Sequence, residues 1–329
     1  MTRVASIGSA KAAPAESAGG RMATTTSSSS HVCPLCGSGR AERTKQIDTQ
    51  QIVSTWQRQF QIDVSDQLGG CTAVQVHLCA SCDLRFFKPD ATAGAPALYE
   101  QLQRHDWYYP NIKWEHQVAL RSVKASSRVL DVGCGRGDFL ALAAQRDPQQ
   151  LMGLEINPAA VSAARRSGLN VLEQDVCEHA RERPGAYDVV TSFQVLEHVT
   201  NPMSFLAAQC RLARRGGRVI VGLPNADSFL GRQFNVLDMP PHHMTRWTYR
   251  TLRKLPSLLP LDLQRVRREP LARCHVGAFV STYGRWVADR VNWRLADPRL
   301  MRSVAALTTV TGLRNALRGQ SIYACYTRR

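Results

Sequence analysis

Short apolar runs recur along the middle of the chain, each closed by glycine, proline, asparagine or an acid. "RVLDV" (128–132), "LMGLE" (151–155), "LNVLEQDV" (169–176), "YDVVTSF" (187–193) and "GGRVIVGLPN" (216–225) have the length and apolar content of buried strands. Between them lie segments with apolar positions three and four apart, such as "DFLALAAQR" after the first run. Strands alternating with amphipathic helices predict an α/β fold with a doubly wound, mostly parallel sheet. "LDLQRVRREP" (261–270) and "SIYACYTRR" (321–329) read as a sixth and seventh strand that close it. Between these two, Val276, Phe279, Val280, Tyr283, Trp286 and Val287 recur at helical spacing, with Arg285 and Arg290 off the stripe. The stripe reads as core packing or a lid. A second reading is a basic amphipathic helix on an anionic membrane surface.

The turn after the first run is "GCGRG", with Gly133, Gly135 and Gly137 at alternate positions and Asp131 just before them. Glycine serves where backbone passes close to a ligand or takes positive φ. A dinucleotide site would show G-x-G-x-x-G with a pyrophosphate on the helix N-terminus. Here the spacing is G-x-G-x-G. A carboxylate beside the loop repels pyrophosphate and suits a ligand with an ammonium group, which argues against a nicotinamide dehydrogenase. The second strand ends at Glu155, where an acid can hold both hydroxyls of a ribose. The third ends at Asp175. Ligands of such sheets sit at the carboxyl ends of the strands, where these acids fall.

Outside the sheet pattern, "HVCPLCGSG" and "HLCASCDLRFFKP" supply Cys33, Cys36, Cys79 and Cys82 as two C-x-x-C pairs. Two such knuckles place four thiolates around one Zn²⁺, a closed structural site with no position for substrate. Stretches such as "TAVQVHL" fill the gap between the pairs with ribbon strands. His31, His77 and Cys71 are nearby substitutes, but four cysteines already satisfy the ion. A redox or buried-thiol reading fits less well, because catalytic C-x-x-C motifs usually come singly. Little basic or aromatic content lies within the knuckles, which weakens a nucleic-acid finger.

The 329 residues suffice for one large domain and something smaller. No apolar run approaches the length of a membrane span, and the N-terminus lacks a secretory core. These features predict a cytoplasmic protein in a reducing compartment. "MATTTSSSS" and its neighbours cannot offset their ordering entropy, so residues 1–30 are expected to be a disordered tail. Arg3, Lys11 and Arg21 against the single acid Glu16 would also suit a transit peptide, and Met22 is an alternative start. The net charge is +16, and residues 244–329 hold 17 Lys and Arg against 4 Asp and Glu. Such a face attracts phosphate, carboxylate or anionic lipid, or is a solvated surface.

The motifs in this order resemble a class I S-adenosylmethionine-dependent methyltransferase, over residues 126 to 225. The residues that carry the likeness are "VLDVGCGRGDFL", "GLEINP", "EQDV", "YDVVTSFQVLEHV" and "GGRVIVGLPN". "CPLCGS", "CASCDLRFFKP", "LYEQLQRHDWYY", "KWEHQVAL", "PPHHMTRWTYRTL" and "GQSIYACYTR" resemble the bacterial subset with an N-terminal zinc ribbon. The resemblance implies a Rossmann-like seven-stranded sheet and a layout of tail (1–30), zinc ribbon (31–90), helical linker (91–125) and methyltransferase domain (126–329), with a helical insertion near 271–320. It implies that Asp131, Gly133, Gly135 and Gly137 face the methionine part of S-adenosylmethionine, and that Glu155 binds the ribose. Asp175 would take the adenine amino group, with Val176 beside it, and Gln194 would lie near the methionine carboxylate or the methyl donor. For Asp175 the alternative is a plain strand-end cap.

Methyl transfer from a sulfonium needs alignment and, for a hydroxyl acceptor, removal of a proton. His198, after Glu197 in "VLEHV", stands beside the expected methyl group. His243, and behind it His242, lie in "MPPHHMTRW", which could fold over the pocket. Histidine serves as a base near neutral pH. Otherwise His198 packs, or fixes Glu197. Quinone-pathway O-methyltransferases carry an acid where Gln194 stands, and there two acids and a histidine gather a divalent metal. Gln194 is a poorer ligand for a hard cation, so no catalytic Mg²⁺ is expected. The Asn-Pro-Pro-aromatic motif of nucleobase and glutamine amino-methyltransferases is absent from the fourth strand end, which argues against N-methylation of a nucleobase or that amide.

These readings converge on methyl transfer to oxygen, or secondarily carbon, of a small molecule, sugar or glycolipid intermediate, a glycan or anionic acceptor included. Weak membrane-surface association would suit a lipid-linked acceptor. Two other classes stay open: a zinc-ribbon RNA-binding protein or RNA methyltransferase, and a cofactor-binding scaffold without catalysis.

Overall fold

The computed structural model describes residues 31–102, 104, 105, 112–288, 290 and 297–329. The tail expected at 1–30 and part of the 91–125 linker lie outside the described residues. The chain opens with β1 (Ala41–Asp48), then α1 (Thr49–Phe60), β2 (Ala73–Cys79), β3 (Arg85–Lys88), α2 (Pro96–Leu102) and α3 (Trp114–Ala119). A regular alternation follows: β4 (Arg128–Val132), α4 (Asp138–Ala144), β5 (Gln150–Glu155), α5 (Pro158–Arg166), β6 (Val171–Glu173), α6 (Val176–Glu182), β7 (Tyr187–Phe193), α7 (Pro202–Leu212) and β8 (Ala213–Pro224). The last part holds β9 (Thr245–Arg246), α8 (Tyr249–Lys254), β10 (Leu261–Pro270), α9 (Val276–Ala288), α10 (Pro298–Val310) and β11 (Arg318–Arg328).

The large sheet has seven strands in the order β10-β11-β8-β7-β4-β5-β6. β4 to β8 run parallel, and β11 is antiparallel to both its neighbours. This is the Rossmann-like architecture of the expected class. β11 is paired along both edges, and its successive residues Ile322, Tyr323, Ala324, Cys325 and Tyr326 are all buried, so both its faces are covered by packed layers. Helices begin where the sequence supplies caps. Asn157 before Pro158 accepts from the Ala159 and Ala160 amides, and Asn201 before Pro202 accepts from Ser204. The third strand is shorter than its apolar run, stopping at Glu173, because Asp175 caps α6 instead.

The smaller sheet has the order β1-β2-β3-β9 and is antiparallel throughout. Its fourth strand comes from beyond β8: Phe86 faces Thr245, Arg85 faces Arg246, and the Phe87 amide donates to the Met244 carbonyl at 3.0 Å. The "TAVQVHL" stretch supplies β2 as expected. The long gap between the cysteine pairs also holds α1, whose Ile52 and Trp56 are fully buried with Val74, Val76, Phe87, Val236 and Met239. Truncating a core Trp of this kind costs about 3–5 kcal/mol. The two sheets share a core. Leu35, Leu84 and Phe86 form one apolar cluster with Trp247, Leu252, Leu130 and Val219.

α9 carries the stripe expected between the last two strands. Val276 and Val280 are buried against Phe229 and Leu271, and Phe279 and Tyr283 pack beside them, as core packing requires. Among the described residues no helix is long and apolar enough to cross a membrane.

Candidate active site

β4 delivers the chain to the glycine loop at the carboxyl end of the large sheet. All three glycines take positive φ: 69° at Gly133, 54° at Gly135 and 89° at Gly137. A β-carbon at Gly133 would stand 2.5 Å from Val195 Cγ2, and one at Gly137 would stand 2.2 Å from Leu169 Cδ1. The loop is therefore a cradle that only glycine can line. Glu155, at the end of β5, accepts from the Gly135 amide at 2.9 Å and from the Ile156 and Asn157 amides at 2.8 and 2.9 Å. Its carboxylate is thus fixed at the loop. Asp131 is buried and accepts from the Thr191 hydroxyl at 2.6 Å. Burial, with a further push from Glu155 and Asp138, raises its carboxyl to about 7, the Thr191 bond opposing. Asp175 accepts from the Cys177 and Glu178 amides through Oδ1, and Val176 begins α6 nearly buried beside it. The capping role weighed for Asp175 is therefore present; a single oxygen takes both bonds.

Gln194 follows β7 with φ 55°, a left-handed conformation that a residue with a β-carbon rarely adopts. Its amide donates through Nε2 to Glu115 Oε1 at 2.8 Å, and its backbone N–H donates to the Gly222 carbonyl. Such local strain persists where surrounding structure over-determines it, often at functional sites. Glu115 comes from α3, is 1% exposed, and has its carboxyl raised by burial. It fits against β8 because residue 222 is glycine: a β-carbon there would stand 2.8 Å from Glu115 Cγ. The sequence reading missed Glu115. Its signal is an acid three and four places before Val118 and Ala119, within the apolar stripe of α3.

The turn after Gln194 carries Glu197 and His198, and the segment after β8 brings His242 and His243 to them. One ring nitrogen from each histidine lies within 4.8 Å of the others. The His198 Nδ1 stands 2.6 Å from the His242 carbonyl, the His242 Nδ1 2.8 Å from the Leu237 carbonyl, and the His243 Nδ1 3.3 Å from Asp238 Oδ1. The Tyr99 hydroxyl donates to the His242 carbonyl at 3.4 Å and borders His198 Nδ1 at 3.3 Å. Asp238 is paired with Arg246 at 2.6 Å. Burial holds His198 down at about 4 and puts His242 and His243 well below the ordinary range, so all three are neutral at pH 7. Glu197 is 1% exposed, neither carboxylate oxygen has a hydrogen-bond partner, and burial pushes it up to about 8. Its Oε1 is 3.9 Å from His198 Nε2. His198 keeps a fifth of its side chain exposed, whereas the Glu197 side chain is almost wholly covered. The structure thus gathers Glu197 and all three histidines, and adds Tyr99 and Asp238, which the sequence reading did not single out.

The four cysteines expected as one metal site also come together. Cys33, Cys36, Cys79 and Cys82 place their sulfurs within 4.8 Å of one another. Cys33–Cys82 and Cys36–Cys79 are each 3.6 Å apart, far beyond a disulfide and close to the edge of about 3.8 Å that zinc–sulfur bonds of about 2.3 Å imply. The donor set fits a structural zinc ion. His31 and His77 pair edge to face with each other, ring centres 4.4 Å apart.

Residues 103–259 match the family model described as a methyltransferase domain. The ubiquinone biosynthesis O-methyltransferase of Sodalis glossinidius is 37% identical over 134 residues, covering 36% of this chain and 53% of that protein. The enzyme of the same name from Cronobacter sakazakii is 39% identical over 107 residues, covering 31% and 44%. The chain thus spans about half the length of these relatives. Residues 103–259, a little under half of the chain, are therefore similar to S-adenosylmethionine-dependent methyltransferases. Among solved structures, a SAM dependent methyltransferase from Archaeoglobus fulgidus is similar at 20% identity and a TM-score of 0.45, over 72% of this chain and 95% of that one.

Proposed function

We propose that this protein transfers the methyl group of S-adenosylmethionine to a hydroxyl oxygen of a small-molecule acceptor. The observation that carries the reading is the neutral histidine cluster held at the carboxyl end of β7, on the turn that follows Gln194. S-adenosylmethionine supplies an electrophilic methyl group. Asp131 offers its carboxylate to the cofactor's ammonium, and Gly133, Gly135 and Gly137 leave room for its methionine end. Glu155, fixed by three backbone amides, takes the ribose hydroxyls. Asp175 and Val176 border the adenine. Gln194, tied down by Glu115, stands where the methionine carboxylate and the donor meet.

The acceptor enters beside His198. A neutral imidazole takes the hydroxyl proton as the oxygen attacks in line with the breaking carbon–sulfur bond. His243 is oriented for that work by Asp238, and His198 by the His242 carbonyl, while Glu197 closes the wall behind them. Oxygen is favoured over carbon because the curated relatives are named O-methyltransferases. The four cysteines hold a structural zinc ion that leaves no open position for chemistry. A sugar or glycolipid acceptor remains within the proposal, and the basic final quarter suits an anionic one.

Calorimetric titration with S-adenosylhomocysteine, using NAD as the control, tests the cofactor site. Micromolar binding with no NAD signal is expected. Folded, zinc-loaded protein that binds neither sinks the proposal. Transfer of labelled methyl groups to hydroxyl acceptors, compared with RNA, then separates a small-molecule enzyme from an RNA methyltransferase.

A further inference from the structure

The same cluster has the chemistry of a metal site. A carbonyl oxygen only accepts, so the protons of His198 and His242 sit on Nδ1 and their lone pairs on Nε2. His243 points Nδ1 at a carboxylate that Arg246 keeps paired, with the same result. Metal-bound histidines almost always donate their other ring N–H to a carbonyl or carboxylate in this way. Glu197 is an independent sign. A buried carboxylate with two unpartnered oxygens is costly unless a cation answers it. Lys113 acts on Glu197 and His198 from a distance, and neither carboxylate oxygen bonds to it.

We propose that His198, His242 and His243 bind a divalent transition-metal ion, with the Glu197 carboxylate behind His198 as its nearest buried countercharge. Three neutral imidazoles suit zinc, iron or nickel, whereas Mg²⁺ and Ca²⁺ select oxygen-rich sites. The set differs from the quinone-pathway pattern of two acids and a histidine: residue 194 is an amide committed to Glu115, and two ligands come from the segment after β8. Three histidines with an open position are also the ligand set of zinc hydrolytic sites. The deeper consequence rests on the reading of this pocket as the acceptor site. There the ion would occupy the Nε2 lone pairs, so the imidazoles would no longer act as the base; an acceptor hydroxyl filling the open position would instead be acidified by the ion and release its proton to solvent.

The test uses the full-length protein loaded with Co²⁺, followed by metal analysis and absorption spectroscopy. Two equivalents per chain are expected. The four-cysteine site gives thiolate-to-cobalt charge-transfer bands, and the histidine site gives weaker ligand-field bands alone. Replacing His242 and His243 with Ala should remove one equivalent and leave the thiolate bands; Cys79→Ser should remove the thiolate bands. A single equivalent with a wholly thiolate spectrum overturns the proposal, and so does a second equivalent that survives the histidine replacements. If that variant fails to fold, Glu197→Gln decides. Zinc affinity at the non-thiolate site should then fall at least tenfold, and unchanged affinity makes the cluster hydrogen-bonded packing. S-adenosylhomocysteine binding is measured on the same samples, so failure of the methyltransfer reading shows separately from failure of the metal site.

Discussion

At the residue scale the proposed cofactor site puts a titrating carboxyl next to the glycine loop, where the ligand's ammonium would lie. Asp131 has its carboxyl raised to about 7, chiefly by burial, so the ligand-free protein is partly protonated there at neutral pH. A ligand ammonium favours the ionised form, and binding below pH 7 must release that proton. Affinity for S-adenosylhomocysteine should therefore strengthen as pH rises from 6 to 8, by up to about tenfold per unit below the pKa, and level off above it. Titrations in buffers of different ionisation enthalpy measure the proton directly. Asp131→Asn should bind about 10–100-fold more weakly, through loss of a charge-assisted contact of about 1.5–3 kcal/mol, with the pH dependence gone. A flat profile in the unaltered protein would remove Asp131 from the ammonium's side. The glycine turn and the strand-end position of the acids were legible in the sequence, because glycine spacing and strand-end acids are local patterns. Glu115 was not legible as a site residue. Its partner Gln194 lies 79 positions away, and only folding brings the pair together.

At the element scale the important connection is β9. It follows His242 and His243 directly and completes the small sheet by pairing with β3, whose chain leaves the Cys79–Cys82 knuckle. Met244 and Thr245 donate their amides to the Glu197 carbonyl at 2.7 and 3.0 Å, and the Thr248 hydroxyl donates to Asp83 at 2.6 Å. The knuckle thus braces the histidine segment and the Glu197 turn together. A ribbon was legible from its two C-x-x-C pairs. Its use as a brace was not, because a two-residue strand leaves no periodicity in "MTRW". Structural zinc sites contribute folding energy outright. Cys82→Ser should therefore release the zinc and loosen the histidine segment while sparing the glycine loop, which sits on the large sheet. The expected result is S-adenosylhomocysteine affinity within about threefold of the unaltered protein and methyl transfer reduced at least tenfold, since a displacement of an ångström can cost about 100-fold. Metal analysis, calorimetry and turnover on one preparation check it. Full transfer activity in the zinc-free variant would show that the ribbon does not brace the site.

At the scale of the whole molecule the sequence laid out the large sheet almost strand by strand, because parallel strands buried on both faces write themselves as continuous apolar runs. It was less informative about which helix meets solvent. The stripe of α9 was offered as either core or membrane surface, and its first two turns are core. The exposed apolar stripe lies instead on α10, where Leu300, Val304, Leu307 and Val310 share one face and Leu313 continues it, with Arg299 at its edge and Arg314 just beyond it. Apolar side chains flanked by arginines on a chain of net charge +16 match an anionic lipid surface, each basic residue near such a surface contributing about 1 kcal/mol. The protein should co-sediment with phosphatidylglycerol vesicles at low salt, and less so as ionic strength shortens the reach of the charges. Phosphatidylcholine vesicles should leave it in solution. Leu307→Glu with Val310→Glu changes two exposed positions at little cost to folding, and should abolish the sedimentation. RNA held by the same basic surface would also be displaced by salt, but would not depend on these two apolar side chains. No co-sedimentation at low salt would leave the basic quarter as a solvated face, and the acceptor would then have to reach the histidines from solution.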